Sequence, residues 1–195
     1  VFVQSGTDKT KYAFGIGGYF QDGMVPNSGF DKVSARLNID HKICKAVSLG
    51  ANISYSRAWK QSADGSFNLF VTMPPLAKVY EDDGVTLRKD VTLAGESHFN
   101  PLWNINNADS RSQTDRLLIN LFADWKIAPG LSYRLNTSLS ERNVDSGSYL
   151  GINHTTGATT QGKATLSQSD YFDYLVENIL NYSTKIGDDH KIDAT

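Results

Sequence analysis

The residues with the clearest potential for chemistry are aromatic and planar polar side chains in two long segments, 58–115 and 143–170. An aromatic ring covers the C–H surface of a sugar, while amide and guanidinium groups take its hydroxyls. These side chains are therefore candidates for ligand recognition, and the alternative is that they pack the segments themselves. The candidates are Trp59, Phe67, Tyr80, Trp103, Asn104, Arg111, Tyr149 and His154.

Catalysis has no comparable support in the sequence. The four histidines have no HExxH or similar metal-binding spacing, and no GxSxG, GxGxxG or P-loop motif occurs. Glu81, Asp82 and Asp83 offer carboxylates that Ca²⁺ accepts, but EF-hand spacing is lacking. The single cysteine, Cys44, can form neither an internal disulfide nor a thiolate metal site. We therefore expect a protein that is not an enzyme and holds no cofactor.

The composition argues against helical membrane spans and against nucleic acid as a partner. Of the 195 residues, 39% are hydrophobic, the formal net charge is −2 and the mean hydropathy is −0.37. No run approaches the roughly 18 consecutive apolar residues of a spanning helix. A spanning β-strand needs only about 10 residues with every second one apolar, so a hydrophilic average still permits a membrane barrel. The small negative charge gives no electrostatic attraction to nucleic acid.

Alternation of apolar and polar residues predicts six strands and the start of a seventh. In one of them, Val33, Ala35 and Leu37 alternate with charged or polar residues. A period of two places one face of the strand against an apolar medium and the other against water. The predicted strands cover 11–20, 32–40, 47–57, 116–127, 131–142 and 171–186, and the last begins at 190.

The charged residues in the middle of these strands all fall on the polar face. An Arg or Lys on the lipid face at mid-membrane costs about 2–4 kcal/mol, which explains this exclusion. Arg57 and Glu141 occupy alternate strand positions that otherwise hold apolar residues. Both fall at predicted strand ends, within reach of lipid headgroups. The residues that we expect to line a water-filled lumen are Arg36, Asp40, Asn52, Asn120, Asp124, Arg134, Asn136 and Glu177.

The connections between the predicted strands alternate strictly in length. The short ones are 41–46, 128–130 and 187–189, and the long ones are 21–31, 58–115 and 143–170. All long loops therefore lie at one end, as on the extracellular side of outer-membrane barrels, whose periplasmic turns are short. All five prolines fall between strands, and Trp125 and Tyr133 lie where an interfacial aromatic girdle belongs. The sequence predicts an all-β fold, a segment of an antiparallel transmembrane β-barrel.

Three other protein classes share parts of this pattern. A soluble, secreted carbohydrate-binding β-sandwich also alternates, but its strands are usually about 5–6 residues long. The strands predicted here run from about 9 to 16 residues. A β-rich glycan-active enzyme would need an acidic pair converging in a cleft. A diffusion porin or an assembly barrel would lack an upstream plug.

Six stretches of the chain form an ordered set of short motifs. They are VQSGTDKTKY at 3–12, GYFQDGMVPNSGF at 18–30, SARLNID at 34–40, MPPL and VYEDDG within 73–84, NPL at 100–102, and YLVENILNY followed by HKI within 174–192. In order and spacing this set resembles the SusC/RagA-like TonB-dependent outer-membrane transporters. The second glycine of the first motif is missing, and Ala77 replaces a proline that the family usually has in the fourth.

The resemblance implies that residues 1–195 are a middle portion of a TonB-dependent receptor barrel of about 22 strands, of which this chain holds six or seven. It implies a multi-pass protein of the bacterial outer membrane, with a plug and a TonB-contacting segment that are absent from this chain. It also implies a SusD-like surface lipoprotein as a lid, TonB as the energy-coupling partner, and oligosaccharides or oligopeptides as imported ligands. The loop candidates would then contact either the ligand or the lid.

Overall fold

The computed structural model of the chain describes residues 1–64, 67–186 and 190–195. Within these residues the fold is almost entirely antiparallel β-structure, which confirms the predicted fold class. The strands are β1 (Phe2–Gly6), β2 (Thr10–Asp22), β3 (Gly29–Lys42), β4 (Val47–Gln61), β5 (Asp90–Leu93), β6 (Glu96–Phe99), β7 (Ala108–Ala128), β8 (Leu131–Leu150), β9 (Lys163–Ile186) and β10 (His190–Ala194). The helices are α1 (Phe67–Thr72), α2 (Pro101–Asn106) and a 3₁₀ turn, Gly157–Thr160.

Eight of the strands form one sheet in the order β1-β2-β3-β4-β7-β8-β9-β10, and each is antiparallel to its neighbours. The hairpin β5-β6 is inserted between β4 and β7 and forms a separate two-stranded sheet. A β-sandwich would need a second large sheet packed on the first, and the described ranges contain none. The sandwich alternative is therefore not supported by the fold.

The strands are longer than the alternation predicted, and the long loops are correspondingly shorter. β7 begins at residue 108 instead of 116, β8 ends at 150 instead of 142, and β9 begins at 163 instead of 171. These added stretches are rich in Ser, Gln and charged residues, because both of their faces meet water. Hydrophobic alternation marks only the part of a strand that borders an apolar medium, whereas the backbone ladder continues past it. The strand β1 was missed, because its sequence does not alternate.

The longer strands also change the surroundings of two charges that the sequence placed at strand ends. Arg57 lies inside β4 and Glu141 lies inside β8. Both directly follow the apolar part of their strands, so the prediction of strand ends at these residues was wrong. The apolar face ends at these positions, but the sheet does not.

Strand register places the apolar residues of the sheet in continuous rows on one face. One row crosses seven strands through residues that are all apolar: Val3, Phe14, Leu37, Ile53, Ile119, Leu139 and Tyr174. The neighbouring row on the opposite face contains Asn38, Asn52, Asn120 and Ser138. Partners in an antiparallel pair share a face, so the sheet has one apolar and one polar surface.

The apolar stretch of each long strand has about the length of a membrane-spanning strand. In β4 it extends from Val47, in the row of Trp125 and Tyr133, to Tyr55, in the row of Leu117. These nine residues match the about 9–11 of a spanning strand, and their eight steps cover about 26 Å at 3.3 Å per residue. Trp125 and Tyr133 form a directly opposed pair at the end where the turns are short.

The apolar face is exposed to its surroundings instead of covering a core. Tyr174 is 77% exposed and Trp125 is 49% exposed, and the buried hydrophobic residues of the described part are Val91 and Ile105, which both lie outside the large sheet. Among the described residues, no helix has the length and apolarity needed to cross a membrane. Because the apolar band is continuous and not buried, it needs an apolar environment that the described residues do not supply.

The turn between β7 and β8 consists of Pro129 and Gly130, and its backbone is fixed by the next strand. Gly130 has φ of +79°, and its carbonyl accepts a hydrogen bond from the Ser183 N–H at 2.7 Å. A Cβ at this position would lie 2.1 Å from the Ser183 carbonyl oxygen. Glycine is therefore required both by the backbone conformation and by the close approach of β9. The predicted turn at 187–189 lies outside the described residues.

Candidate functional site

The long connections meet above one end of the sheet, and the short helix α2 joins them. Asn100 precedes α2, is fully buried, and accepts a hydrogen bond from the Leu102 N–H at 3.1 Å, so it caps the helix. Its amide also donates to the carbonyls of Val79 at 2.9 Å and Arg88 at 2.7 Å. One side chain thus ties α2 to two more distant parts of the same connection. Buried amides that satisfy both their donors and their acceptor in this way fix a single loop conformation.

Two of the predicted recognition residues lie in α2, and both contact the connection between β8 and β9. Trp103 donates its indole N–H to the Asn153 carbonyl at 2.7 Å. The Asn104 amide donates to the Thr155 hydroxyl at 2.9 Å and accepts from the Thr155 N–H at 3.2 Å. Both side chains are half-buried. Their polar atoms hold two loops together, which is the packing alternative raised from the sequence.

His154 was predicted as a surface recognition residue, but it is 2% exposed. Its Nδ1 accepts hydrogen bonds from the Thr156 N–H at 3.0 Å and the Gly157 N–H at 3.3 Å. The proton of the neutral ring therefore lies on Nε2, which is 2.5 Å from Asp64 Oδ2. The prediction of a ligand-facing His154 is corrected by this burial: the ring joins the end of β4 to the third long connection.

The first long connection is tied to the same group. Asn27, in the left-handed region with φ of +60°, donates its amide to the Ile105 carbonyl at 3.2 Å. Ile105 is fully buried within α2. All three long connections therefore contact one another through α2, and we call this group of residues 23–28, 62–64, 67–107 and 151–162 the loop platform.

The other aromatic and cationic candidates do not converge with α2. Tyr80 is 41% exposed and pairs with Leu87 in an isolated bridge of the platform. Three candidates lie in strands, contrary to the prediction of loops, at alternate positions that face the apolar side of the sheet. They are Trp59, Arg111 and Tyr149. The backbone of Phe67 begins α1, but its side chain lies outside the described part. The eight candidates thus divide between the platform and the outer wall.

A polar network that the sequence did not identify lies directly above the apolar band. Asp115 Oδ1 accepts from the Tyr55 hydroxyl at 2.5 Å and from Arg57 Nε at 2.6 Å, and its Oδ2 accepts from Gln113 Nε2 at 3.0 Å. The indole of Trp59 donates to Gln113 Oε1 at 3.1 Å. This network cross-links β4 to β7 at the level where the apolar face ends. The sequence signal for this network was that the alternate positions facing the apolar side change from apolar to polar residues along the strand.

The three carboxylates considered for Ca²⁺ all have partners within the chain, and that of Asp82 is Arg88 at 3.7 Å. Asp83 accepts from the N–H groups of Val85 and Thr86, both at 2.9 Å, and from the Thr86 hydroxyl at 2.6 Å. These hydrogen bonds, led by that of the hydroxyl, lower the pKa of Asp83. Glu81 instead forms an ion pair with Arg88 at 2.9 Å. In the described ranges no three His, Cys, Asp or Glu side chains are grouped as a metal site would require.

The eight residues expected to line a lumen all lie on the polar face of the sheet. The strand register places Asp40, Asn136 and Glu177 in one row, which also contains Gly50 and Phe122. The other five residues occupy alternate positions of their strands that face the same side of the sheet. Arg134 lies 3.5 Å from Asp124 and 4.6 Å from the ring centroid of Phe122. The Asn136 amide donates to Glu177 at 3.4 Å. Part of the lower polar face is thus internally paired, through one ion pair and one hydrogen bond between neighbouring strands.

Comparison with known proteins gives similarity over nearly the whole chain. TonB-dependent receptor P3 of Formosa agariphila is 25% identical over 195 residues, which cover 93% of this chain and 19% of the receptor. TonB-dependent receptor P26 of the same organism is 22% identical over 204 residues, which cover all of this chain and 20% of the receptor. The chain thus spans about a fifth of the length of these relatives. No protein-family model matches it.

Solved structures give the same result for the fold. The RagAB peptide importer in its open-open state matches with a TM-score of 0.82 and 23% identity, over 98% of this chain and 22% of the importer chain. The RagAB peptide transporter matches with a TM-score of 0.80 and 22% identity, over 97% and 22%. The resemblance to TonB-dependent outer-membrane transporters, and the fold of a segment of their barrel, are therefore confirmed.

Proposed function

Since the chain resembles a segment of a TonB-dependent transporter, we propose that it forms part of the wall and the extracellular surface of an outer-membrane importer. Residues 1–195 are one segment of the barrel domain, and the plug and the TonB-contacting segment belong to other parts of the whole protein. The imported ligands are oligosaccharides or oligopeptides. The role is transport and not catalysis.

The observation that carries this proposal is the pair of opposite faces of the eight-stranded sheet. One face has an apolar row that crosses seven strands and contains no buried residue, and the other has rows of amides, hydroxyls and charges. A barrel wall needs lipid on one side and a water-filled passage on the other. Two open edges, β1 and β10, would be very costly in lipid, so the wall requires further strands on both sides.

The loop platform supports the proposal of an extracellular partner. The platform is held together by the buried Asn100 amide, the half-buried Asn104 amide and an imidazole, so it offers a fixed surface, while Tyr80 and Leu76 remain exposed on it. A SusD-like surface lipoprotein closing over the barrel would meet this end. Fixed aromatic and apolar side chains are the kind of contact on which a protein lid or a ligand gains affinity.

The experiment is uptake by cells in which the gene is deleted and then restored. Cells with the gene should accumulate labelled oligopeptides or oligosaccharides, and a protonophore or loss of TonB should abolish accumulation. The protein purified from the outer membrane in detergent should bring a lipoprotein with it. Uptake that is unchanged by the deletion, or that persists without TonB, would refute the importer.

A matched pair of variants tests the platform as the place of the lid. Tyr80→Ala changes an exposed platform residue, and Tyr149→Ala changes an aromatic residue of similar exposure on the outer wall. If the lid covers the platform, Tyr80→Ala lowers the amount of co-purified lipoprotein and Tyr149→Ala does not. An equal effect of the two variants would place the lid elsewhere.

A further inference from the structure

Two arginines face each other across neighbouring strands on the polar face, near the outer end of the membrane band. Arg116 in β7 is paired directly with Arg142 in β8, and both side chains are exposed. Arg142 stacks on Tyr171 of β9, with its guanidinium carbon 4.1 Å from the ring centroid. The sequence placed neither arginine among its candidates, because both lay at the edges of predicted strands.

Two cations lie directly opposite each other in this pair, and neither Arg116 nor Arg142 has an ion pair with any described residue. Arg36 on the same face also lacks an ion pair, but it has no second cation opposite it, and Arg134 lies beside Asp124. Asp173 shares the face and lies two residues along β9 from Tyr171, but it is not within ion-pair distance of either arginine. Like charges directly opposed on one face destabilise a sheet, so stability alone does not account for the pair.

The surroundings leave the two guanidinium groups accessible. The row continues from Arg116 through Ser56 and Ser34 to Gly17, which are all small residues. Nothing bulky in this row covers the arginines from that side, and the hydroxyls of both serines are available as donors. The ring of Tyr171 restricts the Arg142 side chain on the other side.

We propose that Arg116 and Arg142 form an anion-binding site at the outer mouth of the lumen, which takes an oxyanion group of the imported ligand. Paired guanidinium forks and hydroxyl donors suit a carboxylate, sulfate or phosphate group, since these accept several charge-assisted hydrogen bonds at once. The site holds the ligand as it leaves the loop platform and enters the passage. The transport role of the site rests on the proposed function, whereas anion binding itself does not.

The first experiment tests anion binding without any uptake. The whole protein, purified in detergent, is labelled with phenylglyoxal, and modification of each arginine is followed by mass spectrometry with inorganic sulfate, with acetate, or with chloride alone. Labelling of Arg116 and Arg142 should slow about tenfold in the presence of the bound oxyanion. Arg36, on the same face without a neighbouring cation, should be unaffected. Equal labelling rates under all conditions, or no labelling of the pair at all, would overturn the site.

The second experiment tests discrimination between ligands that differ only in charge. Ligand pairs are an aspartate-containing oligopeptide with its asparagine analogue, and an oligosaccharide with and without sulfate. The double variant R116Q/R142Q should lower uptake of the anionic member about tenfold and leave the neutral member unchanged. The double variant K42Q/K45Q removes the same charge at the short-turn end and should affect neither.

The two experiments distinguish a failure of the anion-binding site from a failure of the importer role. If wild-type cells take up no member of either pair, the importer role fails, while the labelling result still decides anion binding. If R116Q/R142Q lowers both members equally, the pair has a structural role and the inference is wrong. If R116Q/R142Q does not reach the membrane, the variant R116K/R142K is used instead. It retains both charges but replaces each forked guanidinium group with a single ammonium group. It should then show a smaller loss that is again confined to the anionic member.

Discussion

Two adjacent residues in the centre of the sheet allow a direct test of the membrane wall. Ile119 lies in the apolar row and Asn120 in the neighbouring polar row of β7. Replacing each in turn with arginine introduces the same side chain one residue apart, on opposite faces. Only one of the two charges is placed in lipid if the apolar face borders the membrane.

The expected difference follows from the position of the row. Ile119 is paired with Ile53 and Leu139 and lies two residues from Leu121, the middle of the nine-residue apolar stretch of β7. An arginine costs about 2–4 kcal/mol at the bilayer midplane of a barrel and less toward the interfaces, so we expect about 2–3 kcal/mol at this position. Since 1.4 kcal/mol is a factor of ten, Ile119→Arg should lower the folded-to-unfolded ratio by about 30- to 140-fold. The new side chain of Asn120→Arg extends into water between Asn52 and Ser138, so this variant should change the folded-to-unfolded ratio little.

The assay is equilibrium unfolding by urea of the whole protein in lipid vesicles, followed by tryptophan fluorescence. Ile119→Arg should shift the midpoint strongly at unchanged slope, whereas Asn120→Arg should remain near the wild type. The same order is expected for the amount of protein in the outer membrane of cells. Equal destabilisation by the two variants, or a larger effect of Asn120→Arg, would refute the assignment of the faces.

Three further predictions concern the turns and the loop platform. Gly130→Ala should destabilise the barrel by about 1–3 kcal/mol in the same unfolding assay, because φ is positive and the new Cβ meets the Ser183 carbonyl. The control is Gly84→Ala, which is also at positive φ but has open space around it, so it should destabilise the protein less. Asn100→Ala removes two hydrogen bonds to part-buried carbonyls and the cap of α2, at about 1–3 kcal/mol, and should open the platform to protease on intact cells. Unchanged cleavage would contradict this. Asp83 has a lowered pKa in the folded state, so its turn is stabilised above the unfolded pKa and this contribution is lost as pH falls through the folded pKa; the exchange rate of the Thr86 amide against pH measures it, and Asp83→Asn should remove the dependence.

The sequence was sufficient for the part of the fold that carries the apolar band, because an apolar medium on one face and water on the other impose a period of two there. In β7, for instance, Leu117, Ile119 and Leu121 form the apolar face as expected. Beyond the band the constraint disappears, since both faces meet water. The stretch 108–115 therefore reads as a polar loop although it continues the ladder with β8. For the same reason Arg111 and Tyr149 were assigned to loops.

The candidate site was less predictable, because it depends on contacts between distant segments. The buried His154 is hydrogen-bonded to Asp64, which lies 90 residues away, and no local pattern signals this contact. Likewise, Trp103 has the composition of a ligand-binding residue, but its indole N–H is used by the Asn153 carbonyl. The pairing of Arg116 with Arg142 could be found only from register, because the two residues lie on different strands.

The extension of the strands beyond the apolar band gives the loop platform a rigid support. From Leu117, the last apolar row, to Ala108 there are nine further steps of β7, or about 30 Å of strand. The network around Asp115 cross-links the base of this extension to β4. A ladder of backbone hydrogen bonds fixes its end far better than a free connection of equal length, for which conformational entropy would oppose any fixed arrangement. The platform is therefore held at a defined position beyond the apolar band, as the proposed docking of a rigid lid requires, whereas the Arg116–Arg142 pair lies closer to the band, next to the row of Leu117.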